Sequence, residues 1–377
     1  MKQVSDHIFY TNGNVENPHE GGTYKKGHYF VDEAEILYGP YSSGDEAKDA
    51  LTEYVKTLEK PKETVSQSEI SEWMRCQYKW YLNYILRYST KERQRALEVG
   101  DVYHEGQDLI GQKKDWDEIG EAVKAKFAQH LANLKVSRTQ SIMDEYDHDF
   151  QMVVGILAGY IEHYKDVDNW EIIDNEVEFS VPIDVYGDGS VIVYAVGKKD
   201  KKVLDLADNI VKVIEHKTSS SAHFSVKNLP LNIQLLMYFW AEWKEHGANR
   251  AKIITYDAAV KPKIRQKKNE TRKEFFERVK ALYIEDPKKY FVREELKFPI
   301  KRLQNFDKRL IKYIKHMRRA KENPRDEIEK NTNACDDFGG CPYLAICRKE
   351  SLKGVHMNSY FKRKLKHPEL SDQTNNH

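Results

Sequence analysis

The chain has 377 residues, 40% of them hydrophobic and 32% charged, with 11 prolines and 19 glycines, which excludes a collagenous or generally disordered chain and leaves room for one large core or two modest ones. Lysine and arginine number 61 against 60 aspartates and glutamates, a formal charge of +1, so no global basic field marks a nucleic-acid binder and any such binding has to be local. No apolar run of about 18 residues occurs and the start, MKQVSDHIFYTNGN, lacks the apolar stretch of a signal peptide, so a cytosolic chain with no membrane partner is expected.

Residues 1–60 read as a small ββα-like accessory module: alternating stretches at 7–10 and 28–31, a Gly39-Pro40 turn, then a helix over 45–58. Pro61 ends it. Ser66 and Glu69 have the spacing of a capping box, opening a helix on which Ile70, Trp73, Trp80, Tyr81, Tyr84 and Ile85 share a face and within which Cys76 lies. Three helical patterns follow near 93–111, 115–134 and 142–166. The period then changes. Stretches 176–183, 191–196, 202–206 and 210–215 are β-branched and alternating, with turn signals at Gly187-Asp188-Gly189 and Asp208-Asn209, which predicts a short meander. A helix at 232–246, a strand at 250–257 and helices at 271–284 and 300–322 complete a mixed α/β body that runs α, then β, then α. The expected main domain covers 61–350, and 351–377 reads as a basic C-terminal tail.

Two local excesses of positive charge stand out: Lys261, Lys263, Arg265, Lys267, Lys268, Arg272 and Lys273, and a second group over 312–321. A solvated surface and a phosphate-binding strip are equally open readings of both.

The residues that suggest chemistry are Asp200, just before one strand, and Glu215-x-Lys217 at the end of another. Phosphodiester hydrolysis draws on divalent cations that polarise phosphoryl oxygens, and hard ions such as Mg²⁺ take oxygen ligands. In a strand Glu215 and Lys217 point to one face, so one can ligate metal while the other reaches water or the scissile phosphate. His216 points away, but its backbone carbonyl offers a further ligand. Gln234 and Tyr238, at i and i+4 on one helix face, are placed to hold the lysine or contact DNA. Alone, E-x-K is a weak signal, because half-exposed strands routinely alternate charges. A lone His104 reads as an ordinary helix histidine, and Glu176 or Glu178 as structural.

Taken in order, Gly100-x3-His104, Gly197-x2-Asp200, Glu215-x-Lys217 and Gln234-x3-Tyr238 resemble four motifs of the RecB-like branch of the PD-(D/E)XK nucleases, which includes the AddB C-terminal domain and the exonucleases of CRISPR adaptation. The resemblance covers about residues 66–350. It implies a restriction-endonuclease-like core, a short mixed central sheet flanked by helices. It also implies hydrolysis of DNA with Mg²⁺ or Mn²⁺ held by His104, Asp200, Glu215 and the His216 carbonyl, with Lys217, Gln234 and Tyr238 completing the catalytic set. Exonuclease action favouring single-stranded ends follows, in recombination, repair or phage DNA processing, with a protein partner from such a machinery.

Four cysteines in a cytosolic chain invite a metal reading rather than disulfides. They are Cys76 and, far downstream, Cys335-x5-Cys341-x5-Cys347. The split resembles that of the family's iron–sulfur members, which implies a [4Fe–4S] cluster on Cys₄, although the first late interval is longer than the commoner spacing. Zn²⁺ on four thiolates is the rival, without the two tight C-x2–4-C pairs usual for zinc. Either metal would staple the N-terminal helix to the C-terminal segment. Tyr78, Trp80 and Tyr81 suit stacking of unpaired bases and helix core alike. A different class, a non-catalytic DNA-binding or scaffold protein, requires a broken active set, and no expected side chain is missing.

Overall fold

The computed structural model describes residues 2–5, 7–13, 24–31, 37–58, 62–91, 94–134, 137–219, 226–324, 328–337, 340–349, 359–363, 365–368 and 370. They divide into two compact units, Met1–Lys62 and Glu63–Asn376.

In the first unit, β1 (Lys2–Ser5), β2 (Ile8–Thr11), β3 (Gly27–Val31) and β4 (Leu37–Tyr41) form an antiparallel sheet in chain order, followed by α1 (Gly44–Leu58). Ile8, Phe30 and Ala47 are its core. This corrects the ββα expectation, because two outer strands flank the two that were legible. The Gly39-Pro40 pair, expected to be a turn, lies inside β4 with a cis bond. β4 is an edge strand, where proline is tolerated.

The second unit opens with β5 (Glu63–Ser66), α2 (Gln67–Arg75), α3 (Gln77–Trp80) with a π-helical turn at Tyr81–Ile85, and β6 (Tyr88–Thr90). Then come α4 (Arg95–Gly111), α5 (Trp116–Asn133), α6 (Gln140–Tyr164), β7 (Trp170–Asp184), β8 (Ile192–Asp205) and β9 (Ile210–Ser219). The chain continues through α7 (Ile233–His246), β10 (Ile253–Val260), α8 (Arg272–Glu285), α9 (Pro287–Tyr290), β11 (Phe291–Leu296), α10 (Ile300–Glu322), α11 (Leu344–Lys349) and β12 (Tyr360–Lys362).

The central sheet is mixed. β7, β8 and β9 are an antiparallel meander, β10 is parallel to β9, β11 antiparallel to β10, and β5 parallel to β8. Buried residues of α2, α7 and α10 pack with one set of strand residues that includes Ala258, and those of α4, α5, α6 and α8 with another that includes Ala259. Neighbouring residues of a strand face opposite sides, so helices cover both faces. The expected restriction-endonuclease-like α/β core is present. The sheet is longer than expected, because the stretches 191–196 and 202–206 are one strand, β8. The charged run between them stays in the sheet through ion pairs from Lys199 and Lys202 to the fully buried Glu242, at 2.7 and 3.0 Å.

Three local expectations are also corrected, and one open alternative, that of Trp80, is decided. Ser66 caps α2 by accepting from the Glu69 amide, but the Glu69 carboxylate accepts from Trp80 Nε1 at 3.0 Å instead of closing a capping box. Trp80, 1% exposed, is therefore core and not a base-stacking surface. Cys76 is not inside a helix; it sits in an extended conformation (φ −161°, ψ 111°) that separates α2 from α3. Part of the expected tail is folded, since β12 pairs with β6, while 351–358 and 371–377 lie outside the described residues. Among the described residues no helix is long and apolar enough to cross a membrane.

Candidate active site

The site arises from a fork in the sheet. One edge of β8 pairs with β7 along its length; the other pairs with β5 over 193–196 and with β9 over 201–205. Residues 197–200 lie between the two partners, and Asp200 closes this gap. Gly197 is required there, because a Cβ would lie 2.6 Å from the Phe179 ring. β9 parts from β8 after Ile214, which pairs with Lys201, so Glu215 is the first residue to open onto the same gap. Strand alternation also breaks here: Lys199 and Lys202, an odd number of residues apart, both reach Glu242. On β7, Glu176 falls between the partners of Lys199 and Lys201 and adopts φ +53°, a left-handed conformation that costs an L-residue about 1–2 kcal/mol.

Over this fork α4 brings His104, whose Nδ1 lies 3.2 Å from Asp200 Oδ2. The same oxygen accepts the His216 backbone N–H at 2.8 Å. His104, Glu176 and Asp200 each offer a ligand atom, all within 4.8 Å of one another. Lys198 ion-pairs with Glu176. Asn232 caps α7 by accepting from the Gln234 and Leu235 amides, which sets Gln234 in the first turn. Gln234 Nε2 donates to Glu215 Oε1 at 2.7 Å and to the Tyr238 hydroxyl at 2.9 Å. Gln234 thus reaches the glutamate rather than the lysine. Lys217 ion-pairs with the same Oε1. The other oxygen, Glu215 Oε2, is buried without a hydrogen-bond partner.

Burial, and then the Asp200 charge, push the Glu215 carboxyl up to about 7. For Asp200 burial works in the same direction, but His104 and Lys217 outweigh it and hold the carboxyl well below the usual range. Burial opposes the charged forms of His104 and Lys217 too; Asp200 raises the first, and Glu215 with Asp200 raises the second. The fork therefore crowds carboxylates, and a buried, unpaired carboxylate oxygen costs about 1–3 kcal/mol or more. Carboxylate oxygens and an imidazole suit a hard or borderline divalent cation, so the donor set fits one.

Beneath β9 the His216 ring faces Asp257 at 3.5 Å. Asp257 accepts from the Tyr160 hydroxyl at 2.6 Å and from Arg293 at 2.8 Å, and Arg293 lies over the Tyr164 ring. Burial, with help from Lys201, pushes the His216 imidazole down to about 4. Sequence reasoning missed this buried network and gave Glu176 a structural role. The signal for Asp257 was present: one acid inside the apolar run IITYDAAV, buried throughout.

The four cysteines line one small cavity. Cys76 sits at the break between α2 and α3, Cys347 on α11, and the Cys341 amide donates to the Cys335 carbonyl at 2.7 Å. None forms a disulfide. Burial pushes the Cys341 thiol up, and Cys335 and Cys76 add to the shift. The ends of the unit are laced together here: Tyr78 N–H donates to Glu329 O at 3.1 Å, Asn331 Nδ2 to Arg75 O at 2.8 Å and Tyr343 Oη to Tyr88 O at 2.6 Å.

A mixed sheet flanked by helices is consistent with the nuclease family whose model matches residues 64–348. The chain belongs to the PD-(D/E)XK nuclease superfamily, whose members hydrolyse phosphodiesters and typically use Mg²⁺ or Mn²⁺. A solved structure titled "Crystal structure of SSO0001" is similar at 13% identity and a TM-score of 0.30, over 74% of this chain and 85% of that one. Among curated proteins none matches.

Proposed function

We propose that the chain is a divalent-metal-dependent DNA nuclease of the RecB-like branch, acting as an exonuclease with a preference for single-stranded ends in DNA recombination, repair or phage DNA processing. The observation that carries this reading is Glu215 Oε2, buried and without a partner beside the converging donors of His104, Glu176 and Asp200. His104, Asp200, Glu215 and the His216 carbonyl would hold Mg²⁺ or Mn²⁺, with Glu176 alongside. When bound, the cation supplies Lewis acidity toward a phosphoryl oxygen and lowers the pKa of water.

The chain's own groups supply the rest. Gln234, anchored on Tyr238, occupies Oε1 and so keeps Oε2 for the site. The His216 N–H fixes Asp200 in the gap. Lys217, with its side chain 31% exposed, is the cationic donor that orients water and meets charge developing on the phosphate. The test is incubation of labelled single- and double-stranded DNA with Mn²⁺, beside Lys217→Ala. The variant should lose about 10²-fold or more in rate; unchanged cleavage would sink the assigned site.

The same proposal gives the four cysteines a [4Fe–4S] cluster. What supports a metal there is that all four thiols line one cavity, one from the break between α2 and α3 and three from the C-terminal segment; Zn²⁺ on four thiolates is the rival occupant. Anaerobic purification followed by metal analysis decides it: iron in a brown protein supports the cluster, and stoichiometric zinc without iron overturns it.

A further inference from the structure

A cleft of about 460 Å³ opens at the N-terminal end of α4. Arg95, Lys261, Lys263 and Arg265 line it, with His148 between α4 and the chain beyond β10, and no carboxylate does so among the described residues. Asp149, buried behind, is held by Arg95 at 2.8 and 2.6 Å, which offsets one of the four charges. Burial holds the Lys261 ammonium below its usual range; Asp149 opposes this and the Arg95 charge adds to it. The floor is apolar, made by Val99, Met152, Pro262 and Ile264. In a chain whose formal charge is +1, this is a concentrated excess of cations over an apolar surface.

The cleft adjoins the end of β9, the strand that carries Lys217. Along α4, Arg95 and His104 are nine residues and so about 13.5 Å apart, and two and a half turns set them on opposite sides of the helix, so the continuity comes from the strand ends. Midway, Gly100 lies against Thr218, the residue after Lys217. The Lys261 amide donates to the Ser219 carbonyl at 2.7 Å, joining the cleft to the end of β9. A neighbouring cavity shares Arg95, His148 and Arg265 with the cleft and is lined as well by Asp144 and Glu145, which offset part of the positive charge there.

We infer that this cleft seats an unpaired nucleic-acid strand a few nucleotides from the scissile phosphate, with Lys261, Lys263 and Arg265 on its phosphates and its sugars or bases against the apolar floor. A duplex presents phosphates outward and has no use for that floor, whereas an unpaired strand buries apolar surface on it. The inference rests on the nuclease reading for the substrate's identity, and charge complementarity and continuity with the fork carry the rest.

The experiment measures anisotropy of a labelled 20-nucleotide single strand and of the matching duplex, without added divalent cation so that neither is cut. The full chain is compared with Lys263→Gln/Arg265→Gln, both exposed positions, with Lys261→Gln, and with Lys301→Gln/Lys308→Gln, exposed on α10, as a control of equal charge. The cleft double variant should weaken single-strand binding about tenfold and reduce the salt slope by about 1.4, at about 0.7 per lost phosphate contact. Its duplex binding and urea midpoint should stay near those of the parent. Equal loss on single strand and duplex, equal loss in the α10 control, or undetectable binding of the single strand by the parent each overturns the cleft assignment. Cleavage with Mn²⁺ is scored separately. Absent cleavage with cleft-dependent binding refutes the nuclease reading and keeps the cleft; cleavage with cleft-independent binding does the reverse.

Discussion

Glu176 has an unusual position among the side chains of the fork, because a glutamate with φ +53° stands where β7 passes Asp200. Strain of this kind persists where surrounding structure holds it and concentrates at functional sites. Glu176→Gln should weaken Mn²⁺ binding about 10- to 100-fold, the range for groups that support a metal site, as read by calorimetric titration without DNA; unchanged affinity would remove Glu176 from the site. A second residue-scale effect concerns stability. His367 is fully buried, and burial, then Lys366 and Arg363, push its imidazole down to about 3. The unfolded chain takes up that proton near pH 6.5, so between about 6.5 and 3 it binds more protons than the folded chain. The contribution is complete above pH 6.5 and is lost as pH falls, at up to about 1.4 kcal/mol per pH unit. Urea midpoints at pH 7.5 and 5.5 should therefore drop less in His367→Phe than in the parent; an equal drop refutes the assignment.

At the scale of elements, α6 and α8 approach through glycines one turn apart. A Cβ at Gly155 would lie 2.7 Å from Val279 Cβ, and one at Gly159 would lie 2.6 Å from Tyr283 Cβ and 3.3 Å from the Lys280 carbonyl. Gly159→Ala should thus destabilise by about 1–3 kcal/mol through overpacking. In α5 a Cβ at Gly120 meets nothing within 4 Å, and Gly120→Ala should stabilise by about 1 kcal/mol through helix propensity. Opposite shifts of the urea midpoint are expected, and same-sign shifts would contradict this packing. The helices were legible because their apolar stripes repeat every turn over many residues. β5, β6, β11 and β12 were not, being three to six residues long and paired with distant segments. β8 was split in the sequence reading because its middle is charged; the counter-charge, Glu242, comes from a helix some forty residues on.

For the whole second unit, the cavity of the four cysteines joins residues separated by most of its length. Constraining so long a loop removes entropy chiefly from the unfolded chain, and a bound metal adds its binding energy to folding. Cys341→Ser should lower the melting temperature and speed proteolysis beyond Asn323. Unchanged melting and digestion would show that the hydrogen bonds between the two ends suffice without metal.

The sequence by itself determined the order of the helices, the α–β–α progression and the side chains of the fork, because helical period, turn residues and short motifs are local. It left the roles of those side chains undecided. Only the tertiary structure placed Glu176 beside His104 and Asp200, turned Gln234 toward Glu215, buried Trp80 and set Asp257 under His216. Each of these depends on which strand departs from which, and strand pairing is a non-local property that no stretch of sequence carries alone.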